Sequence, residues 1–410
     1  QVIGLLVQPI KRDLGLSDSD FSTIAGFAFA SFYTGVALLL GRLADQWNRR
    51  NLILLGIAIW ISATVAAGYA NSFAALLLSR IFLAIGEAAL NPAAYSMLAD
   101  YFPPERRARA MSIYTSGVYI GSALAFGVGG LVMMATNQSS SVVLPLLGAF
   151  APWQATFLAV AAPGVAAFLM LLGVREPVRR DVAISPGAAK QQPETLAHFV
   201  VNFRVYAPLM LGFGVIAIIT YGFSVWLPAA FIRTWAWTPG QFGSAYAAVI
   251  LLFGIGGMLG SGFAADKMLE RGKSNAAMQL ALIATALLIP ASLLFALADS
   301  AWATMAAVAI VIFLLAMPIA LTPTILLSVT PNRLRGQITS VTMVLVNLIG
   351  LGLGPYLIAA ISTHVFHDEA QVKLSLAAVT FFAAVIGWTC LRAGMRPHGV
   401  LIQQMQAPAR

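Results

Sequence analysis

Arg80 and Glu87 stand in the run Arg80-Ile81-Phe82-Leu83-Ala84-Ile85-Gly86-Glu87-Ala88-Ala89-Leu90-Asn91-Pro92, which carries no other charge. Seven residues are two turns of an α-helix, so both ionisable groups fall on one face, about 10 Å apart along the axis. A charge near the centre of a bilayer costs at least ~2.5–3.5 kcal/mol on insertion scales, so such residues face a cavity or a partner. A carboxyl whose water access or distance from a cation changes can load and release a proton. Glu87 is the only acidic side chain deep in any apolar run, and with Arg80 it is expected to couple protons. The alternative use of the same pair is a permanent, structural Arg80–Glu87 ion pair.

Other polar groups at apolar positions are candidates for the wall of a central substrate cavity: Tyr33, Asn91, Tyr95, Tyr119, Tyr221, Trp226, Tyr246 and Asn347. Aromatics at span ends also serve as interfacial anchors, and a buried tyrosine often only satisfies a neighbour. Nothing points to catalysis or to a cofactor. No nucleophile–base pair, phosphate-cradling glycine loop or metal-ligand spacing is present, and without a nucleotide motif no direct ATP drive is expected. His364 and His367 beside Asp368 read as a solvated loop, so no metal is expected. The single cysteine, Cys390, has no partner for an internal disulfide.

The elements that must position these groups are transmembrane helices. Of 410 residues, 60% are hydrophobic and 10% charged, against roughly 25% charged in soluble domains. Leu52–Ala70, Leu209–Ile232, Phe242–Ala265 and Ala301–Thr330 each reach the about 20 apolar residues that a crossing helix needs. They lack the alternation of a membrane β-barrel, and open strands leave backbone groups unpaired in lipid, so the fold class is all-α. Charge clusters and turn residues delimit helices near 21–43, 51–70, 73–101, 107–135, 152–174, 205–232, 240–265, 275–298, 301–330, 336–363 and 372–393. Gln1–Ile10 is apolar but too short to cross and reads as the end of a truncated first helix, making twelve. It has no basic stretch before it, unlike a signal peptide. Of 24 Lys and Arg residues, only Lys11, Arg12, Arg233 and Lys373 fall on one side and Arg80 within a span. The positive-inside rule then places both termini in the cytoplasm. The net charge of +9 is thereby explained by topology, and no nucleic-acid partner is expected.

The chain also repeats itself. Leu16–Asp45 aligns without a gap on Trp237–Asp266, pairing Phe21 with Phe242, Gly35 with Gly256, Gly41 with Gly262, Ala44 with Ala265 and Asp45 with Asp266. Further on, Pro103 pairs with Pro331, Arg107 with Arg335 and Ser112 with Ser340. The expected organisation is a six-helix bundle over 1–174 with helix one partial, a cytoplasmic linker over 175–203, a second bundle over 204–394 and a tail over 395–410. Parallel six-helix repeats with a substrate site between them near the midplane are a known transporter plan. The recurring Gly and Asp suggest a cytoplasmic latch of Gly41, Arg42, Asp45, Arg49, Asp266, Arg107 and Arg335. In it Asp45 faces the helix start at Arg335–Gly336 and Asp266 the start at Arg107–Arg109, each carboxylate on a positive helix end. Plain topogenic charge is the alternative. Glycines in helix five (Gly117, Gly121, Gly127, Gly129, Gly130) and at Gly350, Gly352 and Gly354 are expected to let helices approach closely. Helix ten, the repeat partner of helix four, has no charge, so Arg80 and Glu87 belong to one half alone.

The loop Gly41-Arg42-Leu43-Ala44-Asp45-Gln46-Trp47-Asn48-Arg49-Arg50 and its degenerate copy from Gly262 to Asp266, with Lys267 and Arg271, resemble the signature of the major facilitator superfamily. Gly86-Glu87-Ala88, Trp47-Asn48-Arg49-Arg50 and Leu14-Gly15-Leu16-Ser17-Asp18-Ser19-Asp20 resemble the spinster-type branch within it. That resemblance implies a twelve-helix, alternating-access secondary transporter. It also implies an Asp-Arg pair in helix one, just before the point where this chain opens. Animal members of the branch are associated with sphingolipids, including sphingosine 1-phosphate, and with lysophospholipids. Few intramembrane amides (Asn91, Gln279, Asn347) and one cation suit an amphipathic or lipid-like, anionic substrate better than a sugar, whose polar surface must stay hydrogen-bonded. The expected protein is a monomer in a bacterial inner membrane, contacting membrane lipids. Glu87 before Pro92 and Ala93 also resembles proton-linked organic-anion or sugar-acid symporters, and an uncoupled sensor or lipid scramblase is a further alternative.

Overall fold

The computed structural model describes residues 1–136, 141–144, 148–179, 197–273, 275–331 and 334–406, and leaves out the side chains of Leu38, Arg42, Asp45, Ala99, 104–109, Ser112, 335–337 and 405–406. Eleven helices among the described residues are long and apolar enough to cross a membrane. A shorter helix precedes them: α1 (Val7–Leu14) follows a 3-10 turn over Val2–Leu6 and stops at Gly15, whose φ of 65° suits glycine. Next, α2 runs as Asp18–Ser22, a π-helical turn over Thr23–Phe27, and Ala28–Gln46. It opens on a capping box in which the Ser17 hydroxyl accepts from the Asp20 N–H and the Asp20 carboxylate accepts from the Ser17 N–H.

The rest of the first half comprises α3 (Arg49–Gly68), α4 in two pieces (Phe73–Ala88 and Leu90–Tyr101), α5 (Pro104–Ala135) and α6 (Pro152–Leu172). Between α5 and α6, β1 (Val142–Leu144) pairs antiparallel with β2 (Gly148–Phe150). In the second half, α7 is Phe203–Trp235, and α8 runs Pro239–Val249, a π turn Ile250–Gly254, and Ile255–Glu270. They are followed by α9 (Ala276–Leu297) and α10 (Ala301–Leu327). Then come α11, as Arg335–Asn347, a π turn Leu348–Leu353 and Gly354–His364, and α12 (Val372–Gln406). The repeat is visible at matching places: the Ser72 hydroxyl caps α4 by accepting from the Ala75 N–H, and Ser300 caps α10 alike by accepting from the Ala303 N–H.

Two of the boundaries that differ from the sequence reading have a local cause. The helix expected over 73–101 breaks at Ala89, because Pro92 has no N–H to give the Ala88 carbonyl. The last helix, expected to stop at 393, continues to Gln406, since the more polar segment beyond Arg392 still turns at helical period although it is no longer apolar enough to read as a span.

The described chain divides into two compact units. The first comprises Gln1–Val182, Phe223–Ala248 and Pro355–Lys373, and the second Ala183–Gly222, Val249–Gly354 and Leu374–Arg410. In the first, α3 and α4 cross where Gly56 meets Gly86. A Cβ on Gly86 would stand 2.6 Å from the Gly56 carbonyl oxygen, so only glycine allows this approach. Gly130 of α5 likewise meets Gly243 of α8, where an added Cβ on Gly243 would stand 2.5 Å from the Phe126 carbonyl. Gly117 and Gly121 differ from expectation: a Cβ there would meet nothing within 4 Å, so no close neighbour requires them. In the second unit, Tyr206 donates to the Val329 carbonyl at 2.9 Å, tying α7 to the end of α10.

Candidate functional site

Arg80 and Glu87 sit on the first piece of α4, the glutamate one residue from the close contact at Gly86 and one residue before the piece ends at Ala88. Arg80 is 8% exposed, yet its Nε has no hydrogen-bond partner, and no ion pair joins it to Glu87 or to any other carboxylate among the described residues. Its guanidinium lies 5.3 Å over the ring of Phe29 on α2, a cation–π contact that orients the fork without neutralising it. Phe29 stacks on Tyr33 with centroids 5.9 Å apart. Tyr33 accepts from the Asn91 amide at 3.3 Å, while the Asn91 carbonyl accepts from the Tyr114 hydroxyl at 2.8 Å. Tyr95 closes the group edge-on to Tyr114 at 5.3 Å.

The structure therefore brings Arg80, Tyr33, Asn91 and Tyr95 together, with Glu87 on the face of α4 that carries Arg80. Tyr114 was missed by the sequence reading. Its signal is its place on α5 five residues before Tyr119, near the basic start of that helix. Tyr119 is half-buried on the same helix. In the second unit, Tyr221 donates to the Asn347 carbonyl at 2.9 Å. Trp226 and Tyr246 are packed in the interior of the first unit, 0% and 3% exposed. Trp226 gives its N–H to the Pro355 carbonyl, and Tyr246 lies edge-on to Phe126, so in this conformation both belong to helix packing rather than to an open wall.

Of the expected latch, Arg42, Asp45, Arg107 and Arg335 have side chains outside those described; their backbones lie in α2, α5 and α11. Gly41 is in α2, where an added Cβ would meet nothing within 4 Å, and Asp266 is exposed on α8. Arg49 is anchored within its own half. It is 1% exposed and donates to Asp100 at 2.5 Å, to Ser96 at 2.8 Å and to Glu176 at 2.8 Å. Burial alone would raise the Glu176 carboxyl pKa, but the hydrogen bonds from Arg49 and from the Arg50 N–H outweigh it and hold that pKa below the ordinary carboxylate value. Arg179 donates to the carbonyls of Ala44 and Trp47, capping the end of α2.

A second charged cluster, not foreseen as a unit, lies at the opposite ends of the helices. Asp18, 1% exposed, accepts from Lys11 and takes both Nη atoms of Arg233 at 2.8 Å each. Lys11 also reaches Glu369 at 2.7 Å, and Arg233 donates to the Glu369 carbonyl at 2.8 Å. Trp226 lies beneath Arg233, 5.5 Å from its guanidinium. Residues from α1, α2, the end of α7 and the turn before α12 are thus joined inside one unit, with two cations balancing two carboxylates.

Comparison with known proteins agrees with this architecture. The description that matches is that of the Major Facilitator Superfamily, over residues 1–355. Protein spinster homolog 1 of Homo sapiens is 30% identical over 86% of this chain and 68% of its own length. An MFS-type efflux pump of Mycolicibacterium smegmatis is 27% identical over 71% of this chain, which spans 63% of that protein. Among solved structures, a bacterial homologue of the human lysosomal transporter Spinster, inward-facing and unoccupied, superposes with a TM-score of 0.76 at 24% identity, covering 100% of this chain and 95% of the other. A D-xylose-proton symporter superposes at 0.69 with 15% identity, covering 94% of this chain and 92% of the other, a likeness of fold alone. This chain is an integral membrane protein, a transporter rather than an enzyme, and belongs to the spinster type of the Major Facilitator Superfamily.

Proposed function

We propose that the chain is a proton-coupled carrier that moves an amphipathic molecule with an anionic head by alternating access, as a monomer in a bacterial inner membrane with both termini cytoplasmic. The observation that carries this reading is Arg80, a buried guanidinium without an ion-pair partner among the described residues, on the helix face that also bears Glu87. A buried cation left unpaired is costly, and an anionic headgroup on that fork recovers the cost at the moment of binding. Phe29, Tyr33 and Tyr95 supply the apolar and aromatic surface beside it. Glu87 is the proton carrier in this account. The cluster of Lys11, Asp18, Arg233 and Glu369 is the gate of the outer side, opening when the inner side closes around the latch of Gly41, Arg42, Asp45, Asp266, Arg107 and Arg335.

The proton-linked sugar-acid reading has support from the Probable L-galactonate transporter of Escherichia coli, 26% identical over 64% of this chain and 57% of its own length. Against it stand the amides: the carbonyls of Asn91 and Asn347 are both taken by tyrosines, and a sugar needs such groups free. Counterflow in proteoliposomes separates the two. A lysophospholipid should exchange and a hexuronate should not, and Arg80→Gln should abolish the exchange. Hexuronate counterflow without lysophospholipid counterflow would refute the amphipathic reading.

A further inference from the structure

The far end of α12 holds a site that the transport reading does not use. Beyond Trp388 the helix carries Arg392 and Arg396, four residues apart on one face, both exposed, with no acidic partner among the described residues. They line a groove of about 790 Å³ together with Asn275, Met395, Val400 and Gln403. Its wall is held firmly. His398, 2% exposed, meets the Asn275 side-chain carbonyl at 2.9 Å through Nδ1 and the Ile325 backbone carbonyl at 2.9 Å through Nε2, fixing α12 against the start of α9 and the end of α10.

The depth of the groove follows from helix geometry. From Lys373 at one end of α12 to Arg392 is nineteen residues, about 29 Å at helical rise, close to the thickness of a bilayer's hydrocarbon core. Arg392 and Arg396 therefore stand at headgroup level. Trp388, 5.7 Å beneath the Arg392 guanidinium, is at the interfacial belt. Phe382, fourteen residues before Arg396, continues its face back toward the membrane interior at helical spacing, Ile386 flanks that face one turn on, and both are exposed, 60% and 49%.

A basic fork at headgroup level above an exposed apolar stripe is complementary to one ligand class. We propose that this groove binds the phosphodiester headgroup of an anionic glycerophospholipid, with its acyl chains along Phe382 and Ile386, as a lipid site separate from the transport pathway. Basic pockets between membrane helices attract such headgroups, and each arginine near the surface contributes substantially to the attraction.

The test is native mass spectrometry of the full chain purified with phosphatidylglycerol or with phosphatidylcholine. The intact protein should retain one phosphatidylglycerol in preference to phosphatidylcholine, and Arg392→Gln with Arg396→Gln should weaken that retention roughly thirty-fold, the weight of two surface arginines. Arg392→Lys with Arg396→Lys, which keeps charge and fold, should retain most of it. If the glutamine variant does not fold, competition on the unaltered protein decides: inorganic phosphate at millimolar concentration should leave the lipid bound. Equal retention by a folded glutamine variant, equal retention of both lipids, or displacement by phosphate alone would each overturn the proposal.

Discussion

Replacing Asp18 by asparagine should unlock the outer side of the protein. Asp18 is the centre of its cluster, 1% exposed, bonded to Lys11 and bidentate to Arg233. Removing one partner of a buried ion pair costs about 3–5 kcal/mol, because the remaining charge is left without compensation. The Lys11–Glu369 pair is half open to solvent on the Glu369 side, 49% exposed, and as an exposed pair it holds at most ~1 kcal/mol. In the open state the stranded cations regain water, so most of the penalty falls on the closed state. At about 1.4 kcal/mol per factor of ten, the closed-to-open ratio should fall by roughly two to three and a half powers of ten. A cysteine at Ser22, buried behind the cluster and donating to the Pro355 carbonyl at 3.2 Å, reports the opening once Cys390 has been changed to serine. An impermeant maleimide added outside cells should label Ser22→Cys slowly in the parent and at least tenfold faster with Asp18→Asn, while Asp18→Glu stays close to the parent. Equal labelling rates with asparagine and with aspartate would refute the gate.

Three further outcomes follow from the same geometry. Glu176 is held below the ordinary carboxylate pKa by Arg49 and the Arg50 N–H. Its contribution to stability is therefore complete above that ordinary value and is lost as pH falls through the depressed folded one. Thermal unfolding in detergent should show a steeper loss below about pH 4.5 in the parent than in Glu176→Gln, whose melting temperature should be lower at neutral pH. Gly86→Val must push α3 away from the Gly56 carbonyl, and should destabilise by about 1–3 kcal/mol, read as a lowered melting temperature with disturbed transport. Arg80→Gln should weaken binding of an anionic amphiphile roughly 10- to 150-fold, the range for a charged hydrogen bond, by equilibrium binding; Arg80→Lys should recover only part of it, because an ammonium lacks the planar fork that lies on Phe29.

The spans were legible because long apolar runs and their flanking charges mark membrane helices directly. Prolines and capping residues fixed most helix starts, although α5 begins at Pro104, a turn before the expected 107. The charged pair in α4 was legible for the same reason, since ionisable residues are rare in such runs. The partners were not. Asp18 and Arg233 are brought together by tertiary packing alone, and no local pattern links them. The packing of Trp226 against the Pro355 carbonyl and of Tyr246 against Phe126 was not legible either, because residue type does not say which helix face a neighbour covers. Arg49 read as part of a signature loop, whereas its bonds to Asp100 and Glu176 tie together the ends of α3, α4 and α6.

Proton-driven uptake separates a carrier coupled through Glu87 from an uncoupled one. The intact chain and Glu87→Gln would be reconstituted in proteoliposomes and given a labelled lysophospholipid with and without an imposed pH gradient. The gradient should accelerate uptake by the intact chain, whereas Glu87→Gln should still exchange substrate but no longer respond to the gradient. An equal response in the two proteins, or none in the intact chain, would contradict coupling through Glu87.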